Sequence, residues 1–291
     1  MAVYDASGNE LNAVYDAYGT ELDYAYDELG NVIYSKETPV YPSALSLLYS
    51  TYPGINSPQG MATYGNYIFQ FFGNVNKMNV YNKSDYSLIN SMDCTVIGHG
   101  NNLQFGTEVQ SNGFPLLYCS DSNSADARYI YVLSIDTTQL SLVNTINLPT
   151  AVGNYPNAVI DFENNKIYTL GYTGSTVYAT SGKNILCVLD LSDPSTVLNT
   201  WQYDYLGVMN GLVWNGTHIV LNANTWDGTD VKFYFINPST QAIDETLEFE
   251  KEYDSEYQGF SYMGSYYLVS KWIYKNVPSS RTLYYEFYSL H

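Results

Sequence analysis

Apolar residues in this chain fall in short runs that alternate with polar ones and are separated by Gly, Asn, Asp, Pro and Ser, a pattern of period two that predicts strands. One phrase recurs five times: Ser46-Leu-Leu-Tyr-Ser50, Ser87-Leu-Ile-Asn-Ser91, Ser141-Leu-Val-Asn-Thr145, Thr196-Val-Leu-Asn-Thr200 and Ala242-Ile-Asp-Glu-Thr246. Successive copies begin 41, 54, 55 and 46 residues apart. Each of the first four precedes a strand led by small residues (Gly60-Met-Ala-Thr-Tyr64, Asn102-Leu-Gln-Phe105, Ala158-Val-Ile-Asp-Phe162, Gly211-Leu-Val-Trp214) and then two more strands. The fifth is followed by Gly259-Phe-Ser-Tyr262, a run at 266–270 and a run at 282–288, and no phrase remains for a fourth strand.

A period of that length with four short strands per unit predicts an all-β, five-bladed β-propeller. Each phrase is then the outermost strand of the preceding blade. The first copy, at about residues 45–51, supplies the strand missing from the last blade and closes the ring, which removes an open sheet edge.

Residues 1–40 follow a different rule. Val3-Tyr-Asp5 with Gly8 and Leu11, Val14-Tyr-Asp16 with Gly19 and Leu22, and Ala25-Tyr-Asp27 with Gly30 and Ile33 repeat every eleven residues. An Asp three residues before a Gly suits a tight turn, so each unit reads as strand, turn, strand. Small hairpins bury little on their own. Residues 1–40 are therefore expected to be an attachment or oligomerisation module, with a joint at Pro39 and Pro42, and 41–291 the ring. The Tyr-Asp-x-x-Gly phrase resembles the YD repeats of bacterial surface and toxin shells, and short Tyr-Asp arrays in tail proteins of gut phages and prophages. That resemblance implies a virion or tail-associated protein joined to other virion proteins through residues 1–40.

Composition narrows the partners. Charged residues make up 14% of the chain, Tyr numbers 32, and the formal net charge is −18 with 11 basic residues. Nucleic acid and anionic membranes need clustered Lys and Arg, so neither is an expected partner. No apolar run approaches the length that spans a bilayer, and Met1-Ala-Val-Tyr-Asp5 lacks the basic start of a secretion signal. A virion or extracellular location reached by lysis, with possible homo-oligomers, fits both. Cys94, Cys119 and Cys187 have no paired spacing and read as buried thiols. The acidic loops Asp121–Asp126 and Asp227–Asp230 lack calcium-loop spacing, so no metal and no cofactor is expected.

In a blade the inner strand opens on the same face as the loop between the second and third strands. The predicted openings are Gln59-Gly60, His99-Gly-Asn-Asn102, Asn157-Ala158, Asn210-Gly211 and Gln258-Gly259, so amides from five blades ring one pore mouth. His99-Gly-Asn-Asn102 resembles the His-x-Asn-Asp-like opening of inner strands in phage and bacterial five-bladed propellers, with Asn102 in place of Asp; this implies a fold and a face, not a reaction. Trp226 and Trp272 follow the second strands of adjacent blades. Aromatic faces beside amides hold pyranose rings, and equally suit a protein epitope.

The expected ligand-binding residues are Gln59, His99, Asn101, Asn102, Asn157, Asn210, Gln258, Trp226 and Trp272. Trp214 reads as core, and Trp201 as core or surface. Propeller hydrolases place carboxylates on inner strands near the pore, whereas these openings carry amides, with Asp161 far along its strand and Glu108 in a connection. His99, His218 and His291 form no triad. The sequence thus points to a non-catalytic protein recognising a bacterial surface glycan or receptor. Its alternatives are a structural virion protein and a propeller-type glycoside hydrolase.

Overall fold

The computed structural model describes residues 24–26, 32–35, 41–51, 58–121, 127–176, 182–225, 229–252, 255–277 and 280–291. The chain divides into two compact units, Met1–Tyr41 and Pro42–His291. In the first unit β1 (Tyr24–Tyr26) pairs antiparallel with β2 (Val32–Ser35), the hairpin of the third Tyr-Asp unit. The first two Tyr-Asp units lie outside the described residues.

The second unit begins with β3 (Leu45–Thr51) and then lays down four-stranded antiparallel sheets in chain order. Blade 1 is β4 (Pro58–Tyr64), β5 (Tyr67–Phe72), β6 (Lys77–Asn82) and β7 (Leu88–Asp93). Blade 2 is β8 (Gly100–Val109), β9 (Pro115–Asp121), β10 (Tyr129–Ile135) and β11 (Leu140–Asn147). Blade 3 is β12 (Asn154–Asp161), β13 (Lys166–Tyr172), β14 (Lys183–Asp190) and β15 (Val197–Asp204). Blade 4 is β16 (Val208–Trp214), β17 (Ile219–Asn224), β18 (Asp230–Ile236) and β19 (Ile243–Glu250). Blade 5 is β20 (Ser255–Tyr262), β21 (Tyr267–Val277) and β22 (Ser280–Leu290), completed by β3.

The inner strands touch in the order β4, β8, β12, β16, β20 and back to β4, which makes the ring a closed five-bladed propeller. The closing strand pairs along its whole length, with Leu45 opposite Leu290 and Thr51 opposite Tyr285. Its start is pinned to the chain end, where the Ser43 and Ala44 amides donate to the His291 carbonyl at 2.9 Å each.

Hydrophobic cores lie between blades: Phe69, Phe71 and Leu117 join blades 1 and 2, Ile130 and Ile167 blades 2 and 3, Leu186 and Leu221 blades 3 and 4, and Met61 and Phe287 blades 1 and 5. Cys94, Cys119 and Cys187 are buried free thiols, as the sequence suggested. Burial pushes Cys94 up to about 12 and Cys119 well above the usual thiol range, so neither is a ready nucleophile.

The axis itself is stapled by side chains. Asn102 Nδ2 donates to the Ala158 carbonyl at 2.6 Å while its Oδ1 accepts from the Leu212 amide at 3.0 Å, so one residue of blade 2 ties blades 3 and 4. Gln104 makes a matching pair with the Ile160 carbonyl and amide, both at 2.7 Å. Crowding sets the small residues that lead inner strands: a Cβ on Gly60 would lie 2.6 Å from the Gly100 carbonyl oxygen and 2.9 Å from the Asn102 nitrogen. Gly60→Ala should therefore lower unfolding free energy by about 1–3 kcal/mol, the range for overpacking, as read by denaturant titration.

The recurring phrase acquires a physical meaning at the rim. Every outermost strand carries a register shift within it, beside Leu48, Ile89, Val143, Leu198 and Asp244, the phrase's third residue. In four blades the next side chain takes the amide that follows: Asn90 Oδ1 accepts from Ser91, Asn144 from Thr145, Asn199 from Thr200 and Glu245 Oε1 from Thr246, all at 2.8–2.9 Å. A bulge and a side-chain cap both blunt an edge that would otherwise template another strand. The bulged positions Leu48, Ile89, Val143 and Leu198 are exposed, as are their neighbours Leu47, Leu88, Leu142 and Val197.

Candidate binding site

The five inner strands begin one to three residues before the predicted openings in four blades, at Pro58, Asn154, Val208 and Ser255, and at Gly100 in blade 2. Every one of them carries one extra residue at its opening relative to its partner strand, between Pro58 and Met61, Gly100 and Asn102, Asn154 and Asn157, Met209 and Gly211, and Tyr257 and Phe260. Bulges of this kind re-aim side chains and recur beside functional sites. In blade 3 the bulge holds Tyr155 at φ 52°, a left-handed conformation that costs a side-chain-bearing residue about 1–3 kcal/mol.

The expected amide residues all sit at these openings and all are buried: Gln59, Asn101, Asn102, Asn157, Asn210 and Gln258. Their roles diverge. Asn102 is consumed by the staple described above, and Asn210 Nδ2 donates to the Tyr257 carbonyl at 2.9 Å, bridging blades 4 and 5. The side-chain oxygens of Asn101 and Asn157 have no hydrogen-bond partner among the described residues. His99 is half-buried just before β8, its amide donating to Asp121 Oδ1 at 3.0 Å; burial pulls its imidazole below the ordinary range and the Asp121 charge opposes that. Trp226 lies outside the described residues.

Trp272 belongs to β21 and not to a loop, because β21 and β22 form a hairpin of eleven residues on each side. Its partner across β20 is Glu256. This carboxylate, which the sequence pattern does not single out, makes the inner-strand acid inventory of the described residues Glu108, Asp161 and Glu256, with Glu108 inside β8. Burial pushes the Glu256 carboxyl above the usual carboxylate range; hydrogen bonds from Gln258, the nearby Lys251 ammonium, and hydrogen bonds from Trp272 and Asn210 pull it partly back. Two of those donors are expected from their place at strand openings, and the third, Trp272, from its repeat.

Asp161 is held in turn chemistry, accepting from the Asn164 amide at 3.1 Å and Asn164 Nδ2 at 2.8 Å, and Glu108 is exposed. Both stand at the far ends of their strands, opposite Glu256. That far end of the axis opens into a cavity of about 170 Å³ touched by all five inner strands. Trp214 lines it and leans on Tyr168, with ring centroids 5.3 Å apart. The polar groups there are spent locally, Thr63 Oγ1 on Ser261 Oγ at 3.3 Å and Gln104 on Ile160. Trp201 is half-buried in the core between blades 3 and 4. The mouth, with its carboxylate and its unmatched amide oxygens, is the better equipped end.

No family model matches the chain. No curated protein matches it in sequence either. Among solved structures it is similar to Myxococcus xanthus glutaminyl cyclase (12% identity, 85% of this chain and 97% of that one, TM-score 0.49). Regucalcin, a calcium-binding protein from Agrobacterium tumefaciens, gives 10% identity over 87% of this chain and 97% of that one, with a TM-score of 0.48. The PQQ-bound aldose sugar dehydrogenase of Streptomyces coelicolor gives 11%, 86%, 100% and 0.47 respectively.

Proposed function

We propose that the protein is a non-catalytic binding head whose pore mouth recognises a surface glycan, in the setting of a phage tail or other virion appendage joined through residues 1–40. The observation that carries the binding reading is the cluster of Glu256, Gln258, Asn210 and Trp272 at one seam of the mouth: a carboxylate with planar amides beside an indole. Such a set offers hydroxyl-binding groups and an apolar ring face together. Supporting the absence of catalysis, the other inner-strand carboxylates stand at the opposite end of their strands, whereas glycosidases flank one bond with two.

A glycan array tests this reading. Trp272→Ala should weaken binding of the recognised glycan by about 1–3 kcal/mol, the range for an aromatic platform. Absence of binding to any glycan or cell surface would sink it and favour a structural virion protein, for which the exposed apolar pairs of the rim would be the contacts. One observation favours a hydrolase instead: the raised Glu256 carboxyl suits a general acid. Release of reducing sugar that Glu256→Gln abolishes would establish that reading.

A further inference from the structure

We propose that the seam between blades 4 and 5 at the mouth binds a protonated primary amine, so that the recognised glycan carries an unacetylated amino sugar; the sugar half of this rests on the glycan reading, the amine half does not. The inventory of donors and acceptors points there. The neutral donors of the seam, from Gln258, Trp272 and Asn210, already serve the Glu256 carboxylate. The groups left unmatched beneath the seam are mostly acceptors.

Asn224 sits 4% exposed on β17 with its Oδ1 unpartnered, its Nδ2 only 3.5 Å from the same Tyr257 carbonyl that Asn210 engages. Two residues back on that face of the strand, Asn222 is fully buried, and neither its amide oxygen nor its amide nitrogen is hydrogen-bonded among the described residues. Across the mouth the Asn101 and Asn157 oxygens are likewise unmatched on residues 8% and 1% exposed. Buried acceptors without donors are unfavourable until something supplies N–H or O–H groups.

An ammonium brings three donors, no acceptor and a positive charge for the Glu256 carboxylate. Lys251, whose charge also reaches Glu256, is held by the Ser255 carbonyl at 2.7 Å. A neutral hydroxyl donates as well, but adds lone pairs for which Asn222 Nδ2 is the one unspent donor among the amides named above. A uronic acid or a phosphorylated sugar would set its negative charge against Glu256 and a chain of net charge −18.

Calorimetric titration of the full chain with D-glucosamine, N-acetyl-D-glucosamine, D-glucose and ethanolamine tests this. Glucosamine should bind at least about tenfold more tightly than the two neutral sugars, the scale of one hydrogen bond to a charged group, and Glu256→Gln should abolish that preference. If Glu256→Gln does not fold, Asn224→Asp is the second variant, and it should tighten glucosamine binding. Equal or tighter binding of the neutral sugars, a preference that survives Glu256→Gln, or an Asn224→Asp variant without gain overturns the amine site while leaving the glycan reading standing. Ethanolamine binding that needs Glu256, with no sugar bound, keeps the amine site and removes the glycan; no binding of either amine removes the amine site.

Discussion

Deleting residues 1–54 should leave a ring that aggregates or loses much of its melting temperature, whereas deleting residues 1–38 should leave it folded. The longer deletion removes β3, and with it six backbone-paired positions from Leu45 to Thr51 against β22. It also removes the stacking of Tyr49 on Tyr86, at 5.6 Å between centroids, and the hydrogen bond from Ser50 Oγ to Glu286 Oε1 at 3.1 Å. The strand left at the edge, β22, carries Phe287 and Leu290, both fully buried in the intact ring. Long apolar edges are templates for association. Thermal melting and light scattering on the two truncations read the result, and equal stability would mean that ring closure does not depend on the first strand.

The second large effect is expected at Lys271, which is 1% exposed in blade 5 and lies over the rings of Tyr257 and Tyr288, 5.3 and 5.1 Å from their centroids. Its ammonium pairs with Glu252 and stands 3.6 Å from Glu286, itself 1% exposed. Glu286 in turn accepts from Tyr288 at 2.8 Å. Lys271→Met removes the cation packed against a buried carboxylate and should cost about 3–5 kcal/mol, a fall in Tm on the order of 10 °C. Burial and the neighbouring carboxylates raise Tyr257 and Tyr288, so both phenols stay neutral beside the ion pair. The double variant Lys271→Met/Glu286→Gln should recover most of the loss, because the pair then leaves together. A Lys271→Met protein with unchanged melting would show that Glu286 is neutral in the native ring.

The blade count and ring closure are legible in the sequence because they rest on repetition: five phrases, five following strand sets and one strand short. The pore-mouth amides are legible for the same reason. Glu256 is not, since it stands in 250–256, where Glu250, Glu252, Asp254 and Glu256 alternate with polar residues and read as a loop; β20 nevertheless starts at Ser255. Trp272 reads as a loop residue because the blade-5 hairpin is longer than its counterparts, with eleven residues in β21 against six in β17. The inner-strand bulges, unlike those of the rim, follow no repeated phrase, so the extra residue at each inner opening emerges only from the pairing register. The fate of Asn102 is equally hidden: nothing in a chain reveals that one amide will reach two other blades.

The rim bears on how such discs behave at high local concentration. A disc with five radial edges and no stops would accept a neighbour's strand at any of them, and because that contact joins unlike patches it would propagate without closing, as fibres do. The displaced residue in each outermost strand, with Asn90, Asn144, Asn199 or Glu245 occupying the next amide in four of them, acts as a chain terminator against such polymerisation. Any assembly through the rim must therefore proceed by side chains, with the exposed Leu, Ile and Val pairs as its contacts, and copies can crowd side by side without fusing into a continuous sheet.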